Sequence, residues 1–171
     1  DALDALGVRY YLAGSIASSA HGIARASLDA DMVAELEPAH VDALVNDLST
    51  AYYIPMDRLR SAVAARSSCN LIHLATTFKI DIFVSKGRAF DREAAARARP
   101  EAIDESPDAP RFLVGSPEDT VLAKLEWFRR GGEVSERRGW EVIGLGKVRS
   151  QSAREALRRR GGGRGVACAA A

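Results

Sequence analysis

The chain has 171 residues, 47% of them hydrophobic and 27% charged, with a formal net charge of +1 at pH 7. That length supports one good hydrophobic core, and the composition excludes a disordered or fibrous chain. The near-neutral charge argues against a broad electrostatic grip on nucleic acid, and no stretch approaches the roughly 20 apolar residues of a membrane helix.

The first residues lack the basic region and apolar run of a signal peptide. The two cysteines, Cys69 and Cys168, match no metal-ligand spacing. The expectation is a cytoplasmic protein with free thiols and no membrane partner.

Residues 9–13 predict a strand, because Tyr10, Tyr11 and Leu12 favour an extended, packed conformation. The strand runs into Gly14-Ser15, and the small residues from Ile16 to His21 suit a short helix. Residues 28–33 alternate at period two, with Leu28, Ala30 and Met32 on one face and Asp29 and Asp31 on the other. Val41, Leu44, Val45 and Leu48 recur at helical spacing after Pro38, and a second helix is expected over 57–66. Residues 70–74 and 78–84 read as strands joined by a short turn. In the second of them Ile80, Ile82 and Val84 enter the core, while Lys79, Asp81 and Phe83 share the opposite face.

An alanine-rich helix follows Phe90, and the chain is expected to be loop-like around Pro100, Pro107 and Pro110. Residues 111–114 suit a short strand. Ser116-Pro117-Glu118-Asp119 then opens a helix, with a serine cap, proline at the first helical position and an acidic residue three after the cap. Val121, Leu122, Leu125 and Phe128 form its apolar face; Trp127 and Phe128 are read as packing residues. Gly131-Gly132 ends that helix and another is expected around Trp140. The whole reads as an α/β (α+β) fold, a mixed sheet flanked by helices. One domain spans 1–149, including C-terminal helices from Ser116, and a basic, Gly/Ala-rich tail spans 150–171.

The chemistry concentrates in Asp29, Asp31 and Asp81. Aspartates at i and i+2 of a strand face the same way, and their mutual repulsion is relieved by a cation between them. Asp81 joins the pair if its strand is a neighbour in the sheet. Magnesium takes hard oxygen ligands and is often held by a few carboxylates together with substrate phosphates. Gly14 would let the main chain approach a phosphate, and the Ser15 hydroxyl and the helix start can donate to it. The simpler alternative is that the aspartates line the solvated face of an ordinary sheet.

The stretches LAGSIASSAHGIARASLDADMVAEL and TFKIDIFV resemble the nucleotidyltransferase superfamily of the DNA polymerase beta type, where a glycine-serine turn precedes an aspartate-x-aspartate strand and a later strand brings a third carboxylate. SPEDTVLAKLEWFRRGGEVSER is similar to the C-terminal helices of a small bacterial branch related to the toxin-type enzymes of abortive-infection systems. This resemblance implies that Gly14 and Ser15 hold the nucleotide phosphates. It implies that Asp29 and Asp31 bind both of two possible magnesium ions, and that Asp81 completes one of these sites and favours deprotonation of the acceptor hydroxyl. The donor is a nucleoside triphosphate, ATP by expectation; a protein, a tRNA end or a small molecule each stays open as acceptor. Two departures stand out: Arg138-Gly139-Trp140-Glu141 where the branch has a glutamine-tryptophan-arginine-aspartate sequence, and the low-complexity ending.

Other residues are weighed at the same site. Arg25 lies between the turn and the aspartates, where a guanidinium can neutralise a triphosphate, although a plain surface arginine explains it equally. Lys79 either offsets the aspartates, contacts phosphate or forms a cross-strand ion pair. Lys124 can reach phosphate from its helix or stay solvated, and His21 and His73 are candidates for phosphate contact and for the site rim. Arg158, Arg159, Arg160 and Arg164 read as a solvated run. The expected activity is metal-dependent nucleotidyl transfer, with a partner protein or second copy completing the pocket. The alternatives are a catalytically inactive binding or regulatory protein of toxin-antitoxin type, and a metal-dependent phosphohydrolase.

Overall fold

The computed structural model describes residues 2–20, 29–103, 106 and 109–129. His21, Arg25, Gly139, the expected helix around Trp140 and the tail from 150 lie outside them. The elements in chain order are α1 (Ala2–Ala5), β1 (Tyr10–Leu12), α2 (Gly14–Ala20), β2 (Asp29–Ala34), a 3-10 turn (Pro38–His40), α3 (Val41–Leu48), β3 (Tyr52–Tyr53), α4 (Met56–Ala65), β4 (Ser68–His73), β5 (Lys79–Val84), α5 (Ala89–Arg97), β6 (Arg99–Ala102), β7 (Arg111–Val114) and α6 (Pro117–Arg129).

The strands form one mixed seven-stranded sheet in the order β3-β4-β5-β2-β1-β7-β6. β2 runs parallel to β5 and β1 parallel to β7, while the other neighbours are antiparallel. The mixed α/β class therefore stands as the sequence patterning predicts.

The two-residue period of the strands sends Ala34, Cys69, Leu71, Ile82 and Val84 to one side of the sheet, where Leu44 of α3 and Leu59, Ala62 and Val63 of α4 close the core over them. Leu36, Leu44, Leu59 and Leu71 are fully buried there. A smaller cluster of Leu12, Ala17 and Val114, with Ile16, Met32 and Phe112 against it, seats α2 on the sheet. On the opposite side Asp91 and Ala95 of α5 line a small cavity with Tyr11, Val33 and Leu113, so α5 covers the β1 end of that face.

Two expectations are corrected. The loop expected around Pro100 is instead the strand β6, paired antiparallel to β7. A proline fits there because β6 is the outermost strand, and an edge strand needs ladder bonds on one side alone. The apolar face expected of α6 is packed only in part: Leu122 and Leu125 are 50% and 40% exposed and Val121 is half-buried, while Trp127, expected to pack, is 50% exposed. Polar contacts tie α6 to the rest instead. Asp119 accepts from Arg97 Nε at 3.0 Å and Nη2 at 2.8 Å, and Glu126 pairs with Arg88 at 2.5 Å.

Candidate active site

Alternation along β2 puts Asp29 and Asp31 on the side opposite its core residues Ala30 and Ala34. β5 lies beside it in parallel register, with Asp29 opposite Lys79 and Asp31 opposite Asp81. Neighbouring strands are about 4.8 Å apart, so side chains at paired positions stand next to each other on one face. The sheet therefore brings Asp31 and Asp81 side by side, with Asp29 two residues back. Across the next strand Asn70 is the register partner of Asp81, a site neighbour that sequence reading missed. Its signal is the alternation that buries Cys69 and Leu71 and leaves Asn70 on the carboxylate side.

The Gly14-Ser15 turn meets the same carboxylate. Ala13 donates its main-chain N–H to the Asp31 carbonyl at 2.8 Å, fastening the end of β1 to β2. Gly14 follows with φ of 58°, in the left-handed region that side chains rarely adopt. A Cβ there would lie 1.7 Å from Asp31 Oδ2 and 2.8 Å from Asp31 Cβ, so the carboxylate fills the space that the missing side chain leaves. The Ser15 main-chain N–H donates to Asp31. At the first turn of α2 the main chain thus faces an aspartate of the trio.

Burial pushes the Asp31 carboxyl above its ordinary value, and the charges of Asp29 and Asp81 push it further; the Ser15 N–H and the Lys79 ammonium oppose the shift. Lys79 has its Nζ 2.7 Å from Asp81 Oδ2 and 3.9 Å from Asp29 Oδ2. Its hydrogen bond to Asp81 raises the ammonium above its ordinary value, against a smaller opposing effect of burial. Lys79 thus pairs along its own strand with Asp81 and lies across from Asp29, so that it offsets these aspartates.

Lys124 reaches α2 from α6, donating to Ser18 Oγ at 3.1 Å, while Ser18 Oγ donates to the Gly14 carbonyl at 2.9 Å. The helix after the turn is therefore braced by the residue expected near a phosphate. His73 is not brought to the carboxylates. It sits on the Leu71 side of β4, paired with Tyr52, with Nδ1 2.8 Å from Thr76 Oγ1 and its ring 5.0 Å from that of Tyr52.

The donor set suits a hard divalent cation in kind: carboxylate oxygens on adjacent strands, one of them half-buried beside two like charges. In arrangement, no group of three or more histidine, cysteine, aspartate or glutamate side chains among the described residues is placed to hold a metal ion. Lys79 lies against two of these carboxylates, those of Asp81 and Asp29.

No family model matches the chain, and no curated protein matches it. Among solved structures it is similar to the solution structure of the antibiotic-resistance factor ANT(2'')-Ia, with 14% identity over 94% of this chain and 88% of that one and a TM-score of 0.49. A likeness at that level adds nothing to the chemistry, which rests on the residues themselves. No helix among the described residues is long and apolar enough to cross a membrane.

Proposed function

We propose that the chain is a metal-dependent nucleotidyltransferase that moves a nucleoside monophosphate from a nucleoside triphosphate, ATP in the first instance, to a hydroxyl acceptor. The observation that carries this reading is the placement of Asp81 beside Asp31 by the parallel pairing of β2 and β5, with the Gly14-Ser15 turn against the same carboxylate. The sequence resemblance to the polymerase beta type of nucleotidyltransferase, carried by the same residues, is consistent with it.

In this reading Asp29, Asp31 and Asp81 hold one or two magnesium ions. When bound, magnesium supplies charge stabilisation for the phosphates and lowers the cost of ionising the attacking hydroxyl. Asp81 would orient that hydroxyl. Gly14 and Ser15 present main chain to the phosphates at the start of α2, while Lys124 holds α2 in place through Ser18. Arg25 is assigned to the triphosphate as well. The acceptor is a protein side chain, a tRNA end or a small hydroxylated molecule, and a partner protein or second copy completes its pocket.

The ion pair of Lys79 with Asp81 favours a second reading, a binding or regulatory protein of toxin-antitoxin type in which the lysine permanently neutralises the site. The two separate on transfer of label from α-phosphate-labelled ATP, with bacterial cell extract as the acceptor source. The enzyme reading expects a labelled acceptor with magnesium and the intact protein, and none with Asp81→Ala. Absence of label in every fraction, with each nucleoside triphosphate tried, contradicts it.

A further inference from the structure

The starts of β1 and β7 form a second concave region, at the opposite end of β1 from Gly14. The two strands run parallel and are registered at Leu12–Val114, near their far ends. Toward their starts lies an open cavity of about 480 Å³, lined by residues 7–10 and 110–113 with Asp4 of α1. That volume falls within the roughly 300–1,000 Å³ of small-molecule sites.

Val8, Phe112 and Leu113 give the cavity apolar walls, and Leu113 is 43% exposed, an apolar surface that a bound molecule would cover. The charged groups in the lining are Asp4, Arg9 and Arg111. Counting back three residues from Leu12–Val114 brings Arg9 level with Arg111, so the two guanidiniums are neighbours across the strand pair. They differ in what holds them. Arg9 donates from Nε and Nη2 to Glu35 Oε2 at 2.9 and 2.7 Å, and Asp4 accepts from the Tyr10 hydroxyl at 3.2 Å. The exposed Arg111 side chain has neither a hydrogen bond nor an ion pair among the described residues. The group left for a ligand is therefore a cation, a planar fork of donors that matches the paired oxygens of a carboxylate or phosphate.

We propose that this cavity binds a small organic anion with an apolar body, its carboxylate or phosphate held by Arg111 beside Arg9 and its body laid against Val8, Phe112 and Leu113. Asp4 in the same lining disfavours a second anionic group on the ligand. None of these residues belongs to the carboxylate strands β2 and β5, so the inference stands apart from the nucleotidyl-transfer reading.

The test uses anilinonaphthalene sulfonate, an apolar body with one anionic group, and phenylnaphthylamine, the same kind of body without the charge. Fluorescence titrations compare the intact protein with Arg111→Met, Arg111→Lys and the double variant Leu122→Ser, Leu125→Ser, which removes exposed apolar side chains of α6. The sulfonate is expected to saturate one site in the intact protein. Arg111→Met weakens it about tenfold or more, as loss of a charge-assisted contact requires, and Arg111→Lys weakens it less. The α6 double variant leaves it unchanged, and the neutral dye binds the intact protein and Arg111→Met alike. Arg111 is exposed, so its replacement spares the core, and Arg111→Gln repeats the titrations should the methionine variant fail to fold. Equal sulfonate affinity in the intact protein and Arg111→Met overturns the inference. Loss of binding in the α6 double variant, or absence of saturable binding by the intact protein, overturns it as well.

Discussion

Gly14 and Asp31 share one space: a Cβ on residue 14 would fall 1.7 Å from Asp31 Oδ2, and the Ser15 N–H next along the chain donates to that same side chain. The contact joins the turn to the carboxylate strand. Neither residue can change without the other responding.

Gly14→Ala is therefore expected to destabilise the protein by about 2–4 kcal/mol, combining left-handed backbone strain with overpacking. Urea unfolding measures the loss. Since most of the clash is with the Asp31 side chain, Asp31→Ala should cost less in the Gly14→Ala background than in the intact protein, and a double-mutant cycle gives the coupling. Additive losses would show that the two residues do not share the space.

Asp119 makes a second prediction, in pH. Burial pushes its carboxyl up, but hydrogen bonds from Arg97 and Ser116 and the charge of Arg97 together hold it below the ordinary value of 3.8. A carboxylate whose folded value is depressed stabilises the fold above its unfolded value, and that contribution is lost as pH falls through the folded value. Asp119→Asn should cost about 1–3 kcal/mol at neutral pH, reduced by the exposure of Arg97. The gap to the intact protein should narrow below about pH 4. Unfolding curves across pH 2–7 check this, and a gap independent of pH contradicts it.

The phenol of Tyr11 supplies a third. Burial pushes it up to about 12 from 10.0, with the charges of Asp119 and Asp91 adding and Arg97 opposing. A raised folded value means stability present below the unfolded value and lost as pH rises through the folded one. Alkaline loss of stability between pH 10 and 12 should be smaller in Tyr11→Phe, as followed by circular dichroism and tyrosinate absorbance.

Packing gives a fourth contrast. Leu44 is 0% exposed in the main core, and Leu44→Ala is expected to cost about 2–5 kcal/mol. Trp127 is 50% exposed on α6, and Trp127→Ala should change stability by no more than about 1 kcal/mol. Comparable losses at both positions would contradict the burial seen here.

Much of this arrangement was legible in the sequence, for local reasons. The alternation around Asp31 and Asp81 identifies both strands and the side each carboxylate takes, because burial of one sheet face imposes a period of two. The helical spacing of Val41, Leu44 and Val45 marks α3 in the same way. The Ser116 cap was equally plain: its Oγ accepts the Asp119 N–H at 3.1 Å. Non-local facts were not legible. That β2 and β5 are parallel neighbours depends on the whole sheet, so Asp81 beside Asp31 could be stated only conditionally. Asn70 entered the site by the same pairing. Arg97 finding Asp119 across 22 residues leaves no periodic trace. Pro100 hid β6 because a proline signals a loop unless the strand is known to be at an edge.

The central claim, that these carboxylates serve a nucleotide site, is tested most directly by calorimetric titration with each ribonucleoside triphosphate, with and without magnesium. The intact protein is compared with the double variant Asp29→Ala, Asp31→Ala. The account predicts magnesium-dependent binding of at least one triphosphate, ATP first, that the double variant loses while remaining folded. Absence of binding to any triphosphate by the intact protein, or equal binding by the double variant, would contradict it.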